Sequence, residues 1–384
     1  MSKTEEKIKA QKRINNKQST VFYTSARASS KNGLIDKLER LINRSKLLNS
    51  IDSKERVAIK LSFGERGSLA YIRPPLVRKV AEIVREKGGI PFLTDTNTLY
   101  YHKRHNAIDH LETAAINGFT PISVGAPIII ADGLIGNDYE AFKIDGNYFK
   151  EIYIAGAIYH SDFVISLAHF TGHPFGGFGG SIKNIAMGCA SMKGKYQLHS
   201  EYEPKVDEEL CNLCGRCIKN CGYSAIAKGE KSIYFIRENC VGCGECVSAC
   251  PSGAIQSKLE QEERKLQEKM VEYALGIRHQ KNGKIVYLNF LIDISPFCDC
   301  LSWSDTPIVP DLGILISSDP VALDKASVDM INQTPSNPIS RMEKNPESKD
   351  KFRTLFENVN WKWQLDYGEK MGLGTQNYRI VEIL

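Results

Sequence analysis

Eight of the chain's 11 cysteines lie between Cys211 and Cys250, in two runs of identical spacing. Cys211-x2-Cys214-x2-Cys217-x3-Cys221 is followed 29 residues later by Cys240-x2-Cys243-x2-Cys246-x3-Cys250, and the flanks repeat too, Ala225-Ile226 against Ala254-Ile255. Three thiolates separated by two residues each let a short loop wrap one iron–sulfide cube, with backbone N–H groups turned to the sulfides. A fourth cysteine three residues further on points away, to the cube of the other repeat. On this reading one 4Fe-4S cluster takes Cys211, Cys214, Cys217 and Cys250, and a second takes Cys240, Cys243, Cys246 and Cys221. Zinc would be satisfied by two C-x2-C pairs and would leave half of these cysteines surplus.

A second set of reactive groups lies outside the cysteine runs. The stretch LAHFTGHPFGGFGGSIKNIAMGCASMKGKYQLHS begins where the apolar run DFVISLA ends, and in open α/β sheets ligands gather beyond the carboxyl ends of strands. It carries His169, His173, Lys183, Cys189 and His199, with five glycines between Gly172 and Gly180 that would let the backbone approach a ligand closely. Thr171, Gly172 and Pro174 argue against a helix, so the two histidines are expected on a loop. A lysine buried there would have a lowered pKa, which suits attack on a carbonyl. Cys298-x-Cys300 follows another apolar run; cysteines with one residue between them seldom bridge each other. They are expected as buried small residues, with redox thiols or a third metal site shared with Cys189 as the alternatives. Lys60, with Arg66 and Arg73 after it, could hold a carboxylate or phosphate, or simply be surface charge.

Residues 204 to 256 resemble a bacterial two-cluster ferredoxin, which implies a low-potential electron relay and a partner protein that donates or accepts electrons. One departure is Gly222, where the ferredoxin pattern usually has proline after the fourth cysteine. The whole chain resembles a large family catalogued as a domain of unknown function (number 362), through VAIKLSFGE, FLTDTNTLY, GGSIKNIAMGCASMKGK and PDLGILISSDPVALD. A narrower segment is similar to the central motif of nickel-pincer lactate racemases: His173 to Lys183 is ten residues and Lys183 to His199 sixteen. That resemblance implies a proton-handling His173, a Lys183 that holds an organic cofactor, and a metal-binding His199. His102 and His105 are the candidates for the racemase's other histidine.

The elements that must position these groups alternate. TVFYTSA, RVAIKLS, IPFLTDT, APIIIAD, DFVISLAH, KIVYLNFLIDI and DLGILISS read as strands, several of them apolar throughout as in sheets buried on both faces. Between them lie helical stretches: one around Leu34, Leu38 and Leu41; one opened by Pro74 and Pro75; AIDHLETAAINGF, closed by Gly118; and VALDKASVDMI, capped by Ser318 or Asp319 before Pro320. The fold class expected is α/β, a mixed or parallel sheet with flanking helices, interrupted by an inserted ferredoxin-like α+β module. The divisions are a polar tail at 1–19, a first host part at 20–203, the cluster module at 204–256, and a long amphipathic helix with the second host part at 257–384.

The chain has 384 residues, 50 basic against 45 acidic, and no basic run interleaved with aromatics. This excludes the usual nucleic-acid binder. No apolar run is long enough to span a membrane, the first residues lack a signal-peptide core, and clustered cysteines of this kind suit a reducing cytoplasm. The expectation is an iron–sulfur oxidoreductase that passes electrons to a small-molecule substrate, or to a further metal or organic cofactor near Lys183 and His199. His173 and Lys183 would do the chemistry, and Lys183, His199 and Cys189 would bind the cofactor. An electron-carrying module without its own catalysis, and a racemase-like enzyme with structural clusters, are the other readings.

Overall fold

The computed structural model describes residues 18–199, 204–257 and 260–384. Most of the expected tail, residues 1–17, lies outside them, and Ser19 already belongs to a strand.

Eight strands form the main sheet: β1 (Ser19–Ser25), β2 (Arg56–Lys60), β3 (Ile90–Asp95), β4 (Ile128–Ile130), β5 (Phe163–His169), β6 (Ile285–Leu291), β7 (Gly313–Ser317) and β8 (Tyr378–Glu382). Their order is β8-β1-β7-β6-β5-β2-β3-β4. All run parallel except β7, which pairs antiparallel with both β1 and β6. The fold is therefore α/β, with a mostly parallel sheet.

Both faces are covered, which explains the unbroken apolar strands. In β5, Phe163, Ile165 and Leu167 pack into one core with Leu38, Leu41 and Ile42 of helix α1 (Leu34–Ser45) and with helix α2 (Pro74–Glu86). Val164 faces the opposite core, built on helices α4 (Ser181–Cys189), α6 (Glu260–Gln280) and α7 (Pro320–Gln333). Helix α3 (Ala107–Ile116) is capped by Asn106, whose side chain accepts the N–H groups of Ile108 and Asp109. Helix α5 (Met192–His199) follows α4 closely, and α8 (Lys362–Met371) closes the chain before β8. Among the described residues no helix is long and apolar enough to cross a membrane.

The long helix α6 departs from simple amphipathicity. Glu272 is buried, and its carboxylate accepts N–H bonds from Asn147, Tyr148 and Phe149 at 2.7, 3.0 and 3.1 Å, plus the Tyr367 hydroxyl at 2.7 Å. Its charge is held by donors from a loop, which keeps the burial from being ruinous.

The cysteine segment folds as two small antiparallel ribbons. Pro204–Val206 pairs with Ile255–Ser257, and Ile226–Lys228 with Ile233–Phe235. Because the segment's two ends pair with each other, it leaves and re-enters the host at neighbouring points. The strands on either side of it, β5 and β6, still lie adjacent and parallel.

Candidate functional site

From β2 the sheet grows one way through β3 and β4, then the chain returns to lay β5 on the other side of β2. Such a reversal opens a crevice at the carboxyl ends of the strands. Lys60 ends β2, Asp95 ends β3, and His169 ends β5. All three line a cavity of about 180 Å³.

Its floor is a buried charge cluster. Asp95 lies 3.3 Å from the Lys60 ammonium, 3.5 Å from Arg104 and 3.8 Å from His110. Burial alone would push the Asp95 carboxyl up, but the positive charges of Lys60 and Arg104 outweigh it and hold it below the usual range. His110 is fully buried, and burial drives its pKa down to about 3, so the ring is neutral. Lys60, which the sequence leaves between ligand binder and surface charge, is neither exposed nor free: it pairs with Asp95 and also donates to the side-chain amide oxygen of Asn184. Arg66 and Arg73 lie away from this cluster, paired with Glu112 and Asp293.

The wall comes from α4 and the ribbon before it. His173 ends a short strand, Thr171–His173, which pairs with Gly177–Gly179, so a β-ribbon stands where a loop is expected. The His173 Nδ1 accepts the N–H groups of Phe175 and Gly176 at 3.3 and 3.2 Å. The neutral ring therefore carries its proton on Nε2. Burial, then Lys183 and His199, depress its pKa well below the usual histidine value. The turn is pinned from below by Gln267 to the Phe175 carbonyl and Gln364 to the Gly176 carbonyl, at 3.2 and 2.9 Å.

Most glycines of this stretch serve packing rather than ligand approach. A Cβ on Gly172 would stand 2.1 Å from the Pro296 carbonyl oxygen, one on Gly177 2.6 Å from Trp361, and one on Gly180 2.5 Å from Asp324.

Lys183 lies in the first turn of α4, and Asp324 of α7 fixes that turn by accepting the N–H groups of Ser181 and Ile182 at 2.8 and 3.0 Å. Among the described residues no hydrogen bond or ion pair holds the Lys183 ammonium. Burial lowers its pKa to about 8, with Asp299 opposing the shift. Lys195 and His199, four residues apart on α5, also face the cavity. Lys195 reaches the Thr96 hydroxyl and the Ala190 carbonyl, and burial lowers it too to about 8. His199 is pushed down to about 4 by burial, then by Lys269 and Lys183, and hydrogen-bonds to the backbone of Gly242.

His173, Lys183 and His199 thus share one cavity. Cys189 does not: it is fully buried in the apolar core, and burial pushes its thiol up to about 12. A cofactor-binding role for Cys189 therefore has no geometric support. Among the described residues lining this cavity no three histidine, cysteine or acidic side chains converge as the ligands of one ion would.

The cysteine segment completes the cavity, because Cys243, Gly244 and Glu245 form part of its lining. The segment is docked on the host by a 2.8 Å contact between His102 Nε2 and Glu245, and by the Tyr223 hydroxyl on the Leu99 carbonyl. His105 is bound to the Thr98 carbonyl at 3.0 Å. The unusual Gly222 is explained here: a Cβ on it would stand 1.9 Å from that of Tyr101, so the proline expected at this position would collide with the host. Behind the docking face lie two hollows. Cys211, Cys214, Cys217 and Cys250 line one, and Cys221, Cys240, Cys243 and Cys246 line the other. All eight are free thiols. The two loops share their backbone form, with positive φ at Leu213 and Gly215 in one and at Gly242 and Gly244 in the other.

A family model described as Domain of unknown function (DUF362) matches residues 57–329, from β2 into α7. The chain belongs to this family. Curated relatives match it over shorter stretches. Indolepyruvate oxidoreductase subunit IorA of Methanothermobacter thermautotrophicus is 37% identical over 51 residues, 13% of this chain and 8% of that one. A tetrathionate reductase subunit of Archaeoglobus fulgidus is 39% identical over 49 residues, 12% of this chain and 24% of that one. The chain thus spans only a small part of these two relatives. Ferredoxin-3 of Rhodobacter capsulatus is 33% identical over 82 residues, and there 81% of the relative is covered. This family member therefore contains a ferredoxin-type part, related to iron–sulfur electron-transfer proteins. Two solved structures are similar in part: the lactate racemase apoprotein from Thermoanaerobacterium thermosaccharolyticum (13% identity, 72% of this chain and 51% of that one, TM-score 0.36), and a Thermotoga maritima protein (10%, 80% and 61%, TM-score 0.38). Both scores fall below the level that implies a common fold, and racemase activity stays with that protein.

Sequence reasoning missed Lys195, Arg104, Asp95 and Asp299 as cavity residues. Two signals could have found some of them: Lys195-x3-His199 has the spacing of one helix face, and Asp95 closes an apolar strand just as His169 does.

Proposed function

We propose that the chain is an iron–sulfur oxidoreductase whose two 4Fe-4S clusters serve a small-molecule site in the host cavity. The donor sets fit the clusters: each hollow is ringed by four free thiols, three from one repeat and one from the other, as two cubes require. Cys211, Cys214, Cys217 and Cys250 would hold one, and Cys221, Cys240, Cys243 and Cys246 the other. Bound there, the clusters supply single electrons at low potential.

One observation carries the reading: Cys243 and Lys183 line the same cavity. A cluster loop that only served an external partner would have no reason to share a wall with an unpaired lysine and a neutral histidine. With a pKa of about 8, Lys183 is mostly charged at neutral pH. It would bind a carboxylate or carbonyl oxygen of the substrate and give up a proton readily. His173, oriented by two backbone N–H groups, would donate its Nε2–H as a hydrogen bond to an oxygen of the substrate. Lys195, held by Thr96 and Ala190, would add positive charge for an anionic substrate.

The test separates catalysis from carriage. Lys183→Ala and His173→Ala should keep the cluster absorbance and its bleaching on reduction, while turnover falls by about 10²- to 10⁴-fold, the usual range for losing a general acid or a hydrogen-bond donor to a reacting oxygen. Variants that pass electrons to an acceptor protein as fast as the parent, with no turnover lost, would leave the chain a carrier without a catalytic site.

A further inference from the structure

Cys298 and Cys300, expected to stay unbridged, are joined by a disulfide, with Cα atoms 5.3 Å apart. Both line the cavity to which Cys243 contributes, and the roles assigned above leave the pair unused. We propose that this disulfide is the cavity's two-electron group. It takes up two electrons, one at a time, and two protons; its S–S bond breaks, leaving one thiol on Cys298 and one on Cys300. The electrons come from an external one-electron donor protein by way of the cluster module, so the inference rests on the iron–sulfur reading above.

Three features of the loop support this. First, it is clamped. The Glu65 N–H bonds the Asp299 carbonyl at 2.8 Å, the Gly172 N–H bonds the Ser295 carbonyl at 2.9 Å, and the Leu301 N–H bonds the Cys298 carbonyl at 3.2 Å. Gly172 and Gly67 lack the Cβ that would strike Pro296 and Ser302, so two host segments press directly on the loop's backbone. The two sulfurs would remain neighbours after the bond breaks, and the step is then reversible.

Second, the sulfurs are unequal. Cys298 is only 4% exposed and its Sγ accepts the Cys300 N–H at 3.3 Å, whereas Cys300 is half-buried. The buried Cys298 sulfur is the one held in place as the bond breaks, and Cys300 is the sulfur a substrate can reach. Third, titratable side chains flank the pair. Asp299 sits between the two cysteines, and His169 Nδ1 lies 4.0 Å from its carboxylate. His169 and Lys183 share the cavity wall with the disulfide. Such a pair would join single-electron carriers to the two-electron chemistry of organic substrates. Cys189 offers no such service, being buried in the core away from the cavity.

The experiment uses the full chain, prepared anaerobically with its iron. Photoreduced deazaflavin, a one-electron donor, is added, thiols are trapped with N-ethylmaleimide, and peptides are weighed. Before reduction neither Cys298 nor Cys300 should carry label; afterwards both should. A reductive titration of Cys300→Ser should consume two electrons fewer than the parent, with unchanged cluster absorbance. Label on both residues before reduction overturns the proposal. So does a pair that stays unlabelled after the cluster absorbance has bleached, and in that case the proposed function stands. A chain that holds no iron removes both. The labelling needs no variant, so a misfolded Cys300→Ser would not blunt the test.

Discussion

Burial lowers the Lys183 pKa from its ordinary 10.5 to about 8, and a group perturbed this way destabilises the fold while it is charged. Below pH 8 the lysine is protonated in both folded and unfolded chains, and the cost is fully present. Between pH 8 and 10.5 the unfolded chain binds more protons, so stability rises with pH. Lys183→Met should therefore be more stable than the parent at pH 7, by at most about 3 kcal/mol. That advantage should shrink as the pH climbs from 8 towards 10, as read from urea midpoints. An advantage that is flat across this range would mean that the ammonium is solvated rather than held in the cavity wall. At this scale the sequence was a fair guide to which residues meet and a poor one to what surrounds them. The spacing of His173, Lys183 and His199 pointed to one site, and the three do line one cavity. Cys189 misled because it falls between them in the chain. It lies in α4 six residues after Lys183, and α4 buries Ile182, Ile185, Ala186 and Cys189 in the core, so helical phase turns this cysteine away from the cavity.

Helix α4 owes its position to a carboxylate from another helix. Asp324 takes the Ser181 and Ile182 N–H groups, the Ser181 hydroxyl at 2.8 Å and Asn289 at 2.8 Å. It caps a helix start that Gly180 cannot cap. Asp324→Ala should cost about 2 kcal/mol or more, since several buried donors lose their acceptor. It should also lower turnover although it touches no substrate, through a shift of Lys183. Thermal unfolding and steady-state rates measured together check this, and undiminished turnover would deny Asp324 a positioning role. Elements of this kind differ in how far the sequence announces them. The start of α7 was legible because its cap is local, Asp319 accepting the N–H groups of Val321 and Ala322 at 3.0 Å each. The start of α4 was not, because its cap lies 143 residues away. The glycines between Gly172 and Gly180 were legible only as freedom. Their purpose, close contact with Pro296, Trp361 and Asp324, depends on chain that arrives much later.

Across the whole molecule, the arrangement of host and module matters most. The parallel sheet was readable from continuous apolar runs, and β5 and β6, on either side of the cysteine segment, pair within it. The C-terminal edge strand β8 went unread; it is only five residues long and none of them is buried. The docking of the cysteine segment was also hidden, although the odd Gly222 was its trace. His102→Ala removes the contact with Glu245 and should loosen that docking by about 1 to 2 kcal/mol. Faster hydrogen exchange at residues 98–105 and 240–246, with the rest of the sheet unchanged, would register it. Unaltered exchange in both segments would mean that Tyr223 and the packing at Tyr101 suffice.

The most direct check on the account is the metal content of the full chain purified without oxygen. Two cubes, each held by three thiols of one repeat and one of the other, require about eight iron and eight acid-labile sulfide per chain, with a brown colour that bleaches on reduction. A colourless chain with stoichiometric zinc and no sulfide would contradict it.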